Sequence, residues 1–373
     1  MPELIPKIKN VTTKESFFQS DSWFKLLRWL IIFFILIFFL LITLVWGIYR
    51  QKWQNYFIEA FTEIVPLPVA TVDYYHPISI GEYSQNSRAI KTFLESQNAS
   101  QSGGGFDFST PEGIKKLEIV RKNIINQLID NKIIELEARK RGIAFSNQDA
   151  FTIAEQIINR NNQRNENLMQ LKLLYGWDEK TFAIETVKKM LYREKLTENL
   201  NNSGELKQIA QNRIREIQQK IQKGDNFENL AKEYSDASSR QYGGYLPPFT
   251  EDEAPAEFKN FVFQLSEGEI SQPKETEVGW QIVKLEKKFS ENGKNKVQIR
   301  AIFIKKDNFD DWLLNQKKEH SVQVFSGLYN WHAQMGKLYF KDENLNQLDD
   351  QINRDSLNEK TQELDFFLKQ TKN

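Results

Sequence analysis

The 373-residue sequence contains no cysteine and only three histidines, His76, His320 and His332. The lack of cysteine excludes disulfide bonds and a thiol nucleophile. Three histidines so far apart do not have the spacing of a zinc site, and we expect each at a surface or an interface. Neither a Ser-His-Asp arrangement, a phosphate-binding loop nor a dinucleotide fingerprint is evident. We therefore predict no metal and no other cofactor.

The chain also lacks a charge excess, because 50 basic side chains balance 50 acidic ones. Binding to a phosphate backbone depends on a surplus of lysine and arginine. The sequence therefore predicts no nucleic-acid partner.

One long uncharged segment stands out against this polar background. Residues Trp29 to Tyr49 read WLIIFFILIFFLLITLVWGIY. At about 1.5 Å per residue, a helix of this length spans roughly 30 Å, which is the thickness of the hydrocarbon layer. Aromatic side chains stand near both ends, as they do at membrane interfaces. The segment predicts a single transmembrane helix over residues 29–49, in contact with a lipid bilayer.

The basic residues on either side of this segment predict its orientation. Five precede it and two follow it closely: Lys7, Lys9, Lys14, Lys25 and Arg28 before, Arg50 and Lys52 after. The positive-inside rule then places residues 1–28 in the cytoplasm as a tail and the C-terminal bulk outside the cell membrane. A cleaved signal peptide is the alternative, but the apolar run is long for one and the Ile48–Gln51 stretch has no small residues for cleavage.

The region after the anchor has helical patterns and helix end signals. Thr110 and Pro111 can start a long helix that Gly142 ends, and Ser146 with Asp149 suggests a capping box for the next. The succession INQLIDNKIIELEARKRGIAFSNQDA resembles the N-terminal helical domain of SurA-like chaperones. The resemblance predicts such a domain over residues 64–202. A generic helical bundle is the alternative.

The next segment carries several anchors in a fixed order. They are LAKEYSD from Leu230, a glycine pair, EF..FVF.L from Glu257, GEIS.P from Gly268 and GW.IVKLE from Gly279. Together they resemble parvulin-type peptidyl-prolyl isomerases, the PpiC or rotamase family. This resemblance implies an α+β domain, a small antiparallel sheet with helices, over residues 205–305.

An isomerase of this kind must lower a barrier of about 18–20 kcal/mol, because amide resonance is broken as the X-Pro bond turns. The resemblance implies an apolar wall for the proline ring and a polar network of two histidines with a Cys or Asp. Here the network positions are occupied by Ala237, Gln281 and Ala301, and only Thr276 matches a frequent network hydroxyl. No intact catalytic set is therefore predicted.

The apolar wall is better preserved than the network. The matching positions, which we predict to bind substrate, are Phe249, Ala254, Phe258 and Phe263. Ala254 replaces a larger aliphatic side chain and would make the pocket shallower. Phenylalanine is also a common core residue, so the three aromatic rings could instead fill the interior.

The family's first strand is missing from its usual place. The run that starts at Leu206 has helical spacing instead. A similar strand, Val297–Ile304, follows the segment and is joined to it across an Asn292-Gly293 hairpin turn. Since the first and last parvulin strands are antiparallel neighbours, we predict a circularly permuted domain. Loss of the strand, with Val297–Ile304 as an unrelated edge strand, is the alternative.

The remaining residues, 306–373, predict short helices and strands without a recognisable domain. Taken together, the patterns predict a membrane-anchored extracytoplasmic folding factor that binds unfolded, proline-containing polypeptides with weak or lost isomerase activity. An active isomerase and a non-catalytic structural membrane protein are the alternatives. Whether the chain is an enzyme stays open at this stage.

Overall fold

The computed structural model describes residues 21–50, 61–62, 65–98, 107–254, 256–259 and 261–354. Most of the predicted cytoplasmic tail and residues 355–373 of the predicted extension lie outside this part. Helix α1, Asp21–Arg50, belongs to a separate compact unit. Its Phe24–Ile48 stretch is long and apolar enough to cross a membrane, and nearly all of its side chains are exposed. Exposed apolar surface of this extent fits the predicted membrane anchor.

The second compact unit holds residues 66–324 and those from 328 onward. Its helices are α2 Ile80–Asn98, α3 Pro111–Lys140, α4 Asn147–Ile158, α5 Arg164–Tyr175, α6 Glu179–Phe182, α7 Lys188–Ser203, α8 Glu205–Gln222, α9 Phe227–Tyr234, α10 Ala256–Lys259, α11 Phe309–Glu319 and α12, residues 343–354. A π-helical stretch joins α6 to α7. The strands are β1 Pro68–Val72, β2 His76–Ser79, β3 Tyr245–Thr250, β4 Lys274–Glu275, β5 Gly279–Glu291, β6 Lys294–Lys305, β7 Val322–Val324, β8 Tyr329–His332 and β9 Lys337–Phe340.

The predicted starts of α3 and α4 are confirmed. The Thr110 side chain accepts a hydrogen bond from Gly113 N at 3.0 Å, with Pro111 in the first turn of α3. Ser146 and Asp149 make both hydrogen bonds of a capping box at the start of α4. Each of these caps satisfies backbone N–H groups that have no partner within the helix.

The C-terminal segment packs into the helical part of this unit. β7 completes a sheet of order β2-β1-β7, in which Ala70 pairs with Val324 and Val72 with Val322. One core includes side chains from α3, α7, α11 and the β8–β9 hairpin, among them Ile129, Leu196, Trp312 and Leu338. The first strands and the C-terminal part of this unit therefore build one hydrophobic core.

A four-stranded antiparallel sheet of order β3-β6-β5-β4 forms the rest of the unit. Helices α8 and α9 cover one face, where Ile214 and Leu230 meet Ile282 and Ile302. Aromatic side chains from residues 249–263 cover the other face. Helices combined with small antiparallel sheets confirm the predicted α+β class.

The pairing of β5 with β6 confirms the predicted place of the Val297–Ile304 strand. The two strands pair from Gly279 and Lys305 down to Glu291 and Lys294. Asn292 and Gly293, with φ of 53° and 74°, form the turn. Positive φ at both central residues suits the right-handed twist of a two-residue hairpin. The strand is therefore central and antiparallel to β5, as circular permutation predicts. Helix α8 occupies the stretch before α9, where the family's first strand would be expected.

Candidate functional site

The structure brings two of the predicted network positions together. Gln281 pairs with Phe303, and Ala301 pairs with Val283. Cross-strand partners point to the same side, so Gln281 and Ala301 are diagonal neighbours on one face, where such pairs lie about 7–8 Å apart. Both side chains are buried. Neither can ionise, so this pair of positions offers no acid–base group.

Ala237, the third network position, lies in the turn after α9. Its N–H donates to Ser235 Oγ at 3.3 Å, and its carbonyl accepts from Arg240 N at 3.0 Å. The neighbouring Asp236 N donates to the Phe303 carbonyl at 2.7 Å, which holds the turn against β6. The methyl group of Ala237 can neither donate nor accept a hydrogen bond.

Thr276, the one network hydroxyl predicted from sequence, closes the turn between β4 and β5. Its Oγ1 donates to Gly279 O at 3.0 Å and accepts from Gly279 N at 3.1 Å. Its own N–H also donates to Gly279 O, at 2.8 Å. The hydroxyl thus has a local structural partner, and its role as a remnant of the polar network stays a prediction.

The four predicted wall residues lie in one cluster on the face that carries Ala301. The rings of Phe249 and Phe258 stack at 6.2 Å between centroids, and Phe263 meets Phe249 edge-on at 6.1 Å. Phe249, Ala254 and Phe258 are buried, whereas Phe263 is half-buried. The four positions therefore form one apolar cluster, in which Phe263 is the most accessible ring, and their contact with substrate stays a prediction.

Sequence reasoning missed the role of Ser235, which is fully buried. Its Oγ accepts the N–H of Phe303 at 3.1 Å as well as that of Ala237. Asp236 adds two contacts, from Lys305 N at 2.9 Å and from Arg213 at 2.9 Å. The Ser-Asp pair of LAKEYSD is therefore a clamp on β6. A polar pair directly after an amphipathic helix was the available signal.

The glycine pair before β3 also acts on β6. Gly244 has a φ of 77°, and its carbonyl accepts the N–H of Ala301 at 2.8 Å. A Cβ at Gly244 would stand 2.3 Å from the Ala301 carbonyl oxygen. Only glycine permits both this backbone angle and this approach.

Arg213 of α8 links the clamp to the helical part of the unit. It pairs with Asp236 and also with Asp311 of α11. Burial raises the pKa of Asp311, and the Arg213 guanidinium offsets part of that effect. Loss of this arginine would leave two nearby carboxylates without their shared counter-charge.

The helical part of the unit presents apolar side chains on its surface. In α5, the side chains of Met169 and Leu173 are 63% and 60% exposed and lie four residues apart on one face. Beside them, Tyr175 stacks on Phe93 at 5.3 Å and on Trp177 at 5.5 Å. None of the described side chains of α5 is buried.

His332 and His320 differ in their exposure to solvent. His332 is exposed, in agreement with the sequence. The expectation for His320 was wrong, because it is buried within the helical part, with Nδ1 2.6 Å from Asp73 and Nε2 3.1 Å from Glu137. Burial of the ring is possible because both nitrogens have carboxylate partners. Among the residues that the structure describes, no three potential ligands are grouped as a metal ion requires.

Two known protein families match successive parts of this chain. Residues 21–167 match the SurA-like N-terminal domain, and residues 194–287 match the PPIC-type PPIASE domain. The second match starts in α7 and ends in β5. The central strand β6 thus lies beyond its C-terminal end.

Several curated relatives are foldases. The chain is 27% identical over 259 residues to foldase protein PrsA of Caldanaerobacter subterraneus, covering 66% of this chain and 79% of that protein. It is 30% identical over 122 residues to foldase protein PrsA 2 of Listeria monocytogenes, covering 31% and 42%. With foldase protein PrsA of Bacillus subtilis the identity is 42% over 80 residues, covering 21% and 26%. The last two alignments span less than half of those relatives.

Proposed function

Because the chain matches a SurA-like N-terminal domain and then a PPIC-type peptidyl-prolyl isomerase domain, and is similar to proteins named as foldases, we propose that it is a membrane-anchored factor that holds unfolded, proline-containing chains. We further propose that it isomerises X-Pro bonds weakly or not at all. One observation carries the proposal. The aromatic side chains of the domain form one cluster, while Ala237, Gln281 and Ala301, the positions that the parvulin-type resemblance assigns to a polar network, carry no ionisable side chain.

The argument concerns what distinguishes catalysis from binding. A catalyst must bind the twisted amide more tightly than the planar one. Hydrogen-bonding and charged groups aimed at the reacting amide supply that difference. The methyl groups of Ala237 and Ala301 and the neutral amide of Gln281 supply little of this difference in binding. Apolar contact with the proline ring therefore remains as the main interaction.

The exposed face of α5 supports the holding activity. Met169 and Leu173 offer apolar area to solvent. The flexible, polarisable methionine side chain adapts to segments of different shape. Burial of apolar client surface there would contribute about 25 cal/mol per Å².

The apolar helix α1 supports membrane attachment, and we propose that residues 50–373 lie outside the cytoplasm. The excess of basic residues before Trp29 motivates this orientation. Protease added to intact spheroplasts should digest the C-terminal bulk, whereas full protection while the membrane stays sealed would overturn the orientation.

An aggregation assay tests the holding activity. The chain should suppress aggregation of an unfolded client, and Met169→Lys with Leu173→Lys should reduce that suppression, because two charges replace apolar contact. Asn165→Lys with Gln170→Lys is the matched control, since it adds the same two charges at exposed polar positions of the same helix. Equal suppression by all variants would count against α5 as the holding surface.

Restoring the network tests the proposed cause of weak turnover. Ala237→Asp with Gln281→His and Ala301→His should raise the rate of a proline-peptide assay. The reason is that positions 281 and 301 already share one face of the sheet. Thermal unfolding of the same variant verifies that it is folded. A folded triple variant without any gain in rate would show that other features limit catalysis.

A further inference from the structure

The hairpin between β1 and β2 presents two exposed aromatic rings. Tyr74 and Tyr75 form its tip, with 61% and 86% of their surface exposed. Within the described residues, the hairpin is the first sheet element after the anchor helix, and residues 51–67 lie between α1 and β1. Adjacent large aromatic side chains that are exposed to solvent in this way indicate an interaction surface.

The backbone of this tip is strained. Asp73 and Tyr74 have φ of 50° and 63°, in the left-handed region that side chains rarely adopt. Tyr75 N donates to the Asp73 carbonyl at 2.7 Å, which closes a γ-turn around Tyr74 in its rare, positive-φ form. Glycine would adopt this turn without strain. Because glycine would fit this position without strain, the presence of a tyrosine here suggests that its ring has a function.

Hydrogen bonds between Asp73 and the two residues His320 and Ser321 hold the strained tip in place. The Asp73 carboxylate accepts hydrogen bonds from His320 Nδ1 at 2.6 Å and from Ser321 N at 3.0 Å, and Asp73 N donates to Ser321 O at 2.7 Å. His320 in turn contacts Glu137 of α3 through Nε2. The turn is therefore tied to the core of the helical part, and the two rings are presented on a rigid base.

We propose that Tyr74 and Tyr75 dock on the surface of the lipid bilayer that holds α1, as a second and weaker membrane contact. The proposal rests on the membrane anchoring proposed above. Tyrosine rings favour the boundary between headgroups and hydrocarbon, because the ring is apolar and the hydroxyl is polar. A rigid pair of such rings suits this flat boundary, whereas adaptable side chains such as Met169 and Leu173 suit varied polypeptides.

The length of the connecting chain makes such a contact possible. Residues 51–67 can span at most roughly 60 Å when fully extended. A short tether of this kind keeps the hairpin at a high effective concentration near the bilayer, so a contact of two rings is enough without strong affinity of its own.

The absence of cysteine permits a direct test on the full chain. His76→Cys creates a single labelling site next to both tyrosines, at an exposed position. A nitroxide there, with the chain reconstituted in phosphatidylcholine–phosphatidylglycerol vesicles, should collide more with oxygen than with a water-soluble nickel chelate. Gln170→Cys on α5 is the control site and should favour the nickel chelate.

Two variants separate a membrane role from a structural one. Tyr74→Ser with Tyr75→Ser should abolish the oxygen preference at position 76. Tyr74→Gly relieves the strained turn, so its melting temperature should be unchanged or higher while the oxygen preference falls. A purely structural role of the rings would leave the label's surroundings unchanged in both variants.

Flotation of the vesicles distinguishes failure of this proposal from failure of the anchor. If the chain floats with the vesicles and position 76 still favours the nickel chelate, the docking proposal is overturned and the anchor stands. If the chain does not float, both are overturned. Protection of position 76 only after an unfolded client is added would assign the rings to polypeptide binding, which also overturns the proposal.

Discussion

Lys122 of α3 and Asp349 of α12 form an ion pair in the interior of the helical part. Their side chains are only 3% and 9% exposed, and Lys122 Nζ also lies 5.3 Å from the centre of the Phe340 ring. The pair therefore fixes the C-terminal helix against a helix more than two hundred residues earlier in the chain. Replacing one partner should reveal how strongly this attachment matters.

Lys122→Met removes the positive charge and leaves the Asp349 carboxylate buried without a counter-charge. Breaking a buried pair in this way costs about 3–5 kcal/mol, against a total unfolding free energy of about 5–15 kcal/mol. Asp349→Leu should cost a similar amount for the same reason. The double variant should recover most of the loss, because an apolar pair of similar volume can replace a buried ion pair at little or no cost.

Urea denaturation followed by tryptophan fluorescence, on the chain without residues 1–65, measures these free energies as a double-mutant cycle. Those residues belong to the other compact unit. Lys116→Met is a matched control, since Lys116 pairs with Glu112 at the surface of the same helix, with side chains 34% and 72% exposed, and surface pairs contribute only about 0–1 kcal/mol. A cost below about 1 kcal/mol for Lys122→Met, or additive single costs, would refute the buried attachment of α12.

Two further changes test the clamp and the strained hairpin. Ser235→Ala leaves the N–H groups of Phe303 and Ala237 without their buried acceptor, so urea denaturation should show a loss of about 1–3 kcal/mol; no loss would mean that the hydroxyl does not hold β6. Burial alone would raise the pKa of Asp73, but hydrogen bonds from His320 and Ser321 outweigh it and lower the pKa. The stability that this gives is present above the unfolded value of about 3.9 and is lost as the pH falls through the lower folded value. Between about pH 4.5 and 2.5 the wild type should therefore lose more stability than Asp73→Asn, and parallel pH profiles would contradict this.

Local patterns predicted the elements whose causes are local. The uncharged run from Trp29 to Tyr49 predicted a helix that the structure contains, and Thr110 and Ser146 marked real helix starts. The Asn292-Gly293 pair between two alternating segments predicted the β5–β6 hairpin. These signals depend on a few neighbouring residues, so the sequence displays them directly.

Features that depend on distant contacts were not predictable in this way. His320 is separated by 247 residues from Asp73 and by 183 from Glu137, so no local pattern shows that its ring has buried partners. β7 is three residues long, and its pairing with β1 completes a sheet across most of the chain. Non-local contacts of this kind arise from the packing of the whole unit.

The candidate site was predictable in part. The anchors of the parvulin-type resemblance predicted four wall residues and three network positions. The structure places the four predicted wall residues in one apolar cluster, and their contact with substrate stays a prediction. The exposure of each side chain in that cluster depends on tertiary packing, which the spacing of residues along the sequence does not encode. The buried hydroxyl of Ser235 was missed because its partner, the Phe303 backbone, lies 68 residues away.

The rate of prolyl isomerisation by the unmodified full chain tests the central claim most directly. The measurement uses a proline tetrapeptide in a protease-coupled assay, with an active parvulin at equal concentration for comparison. The chain should accelerate the reaction far less than the active parvulin at concentrations that already suppress client aggregation. Turnover equal to that of the active parvulin would contradict the account and make this protein a catalytic foldase.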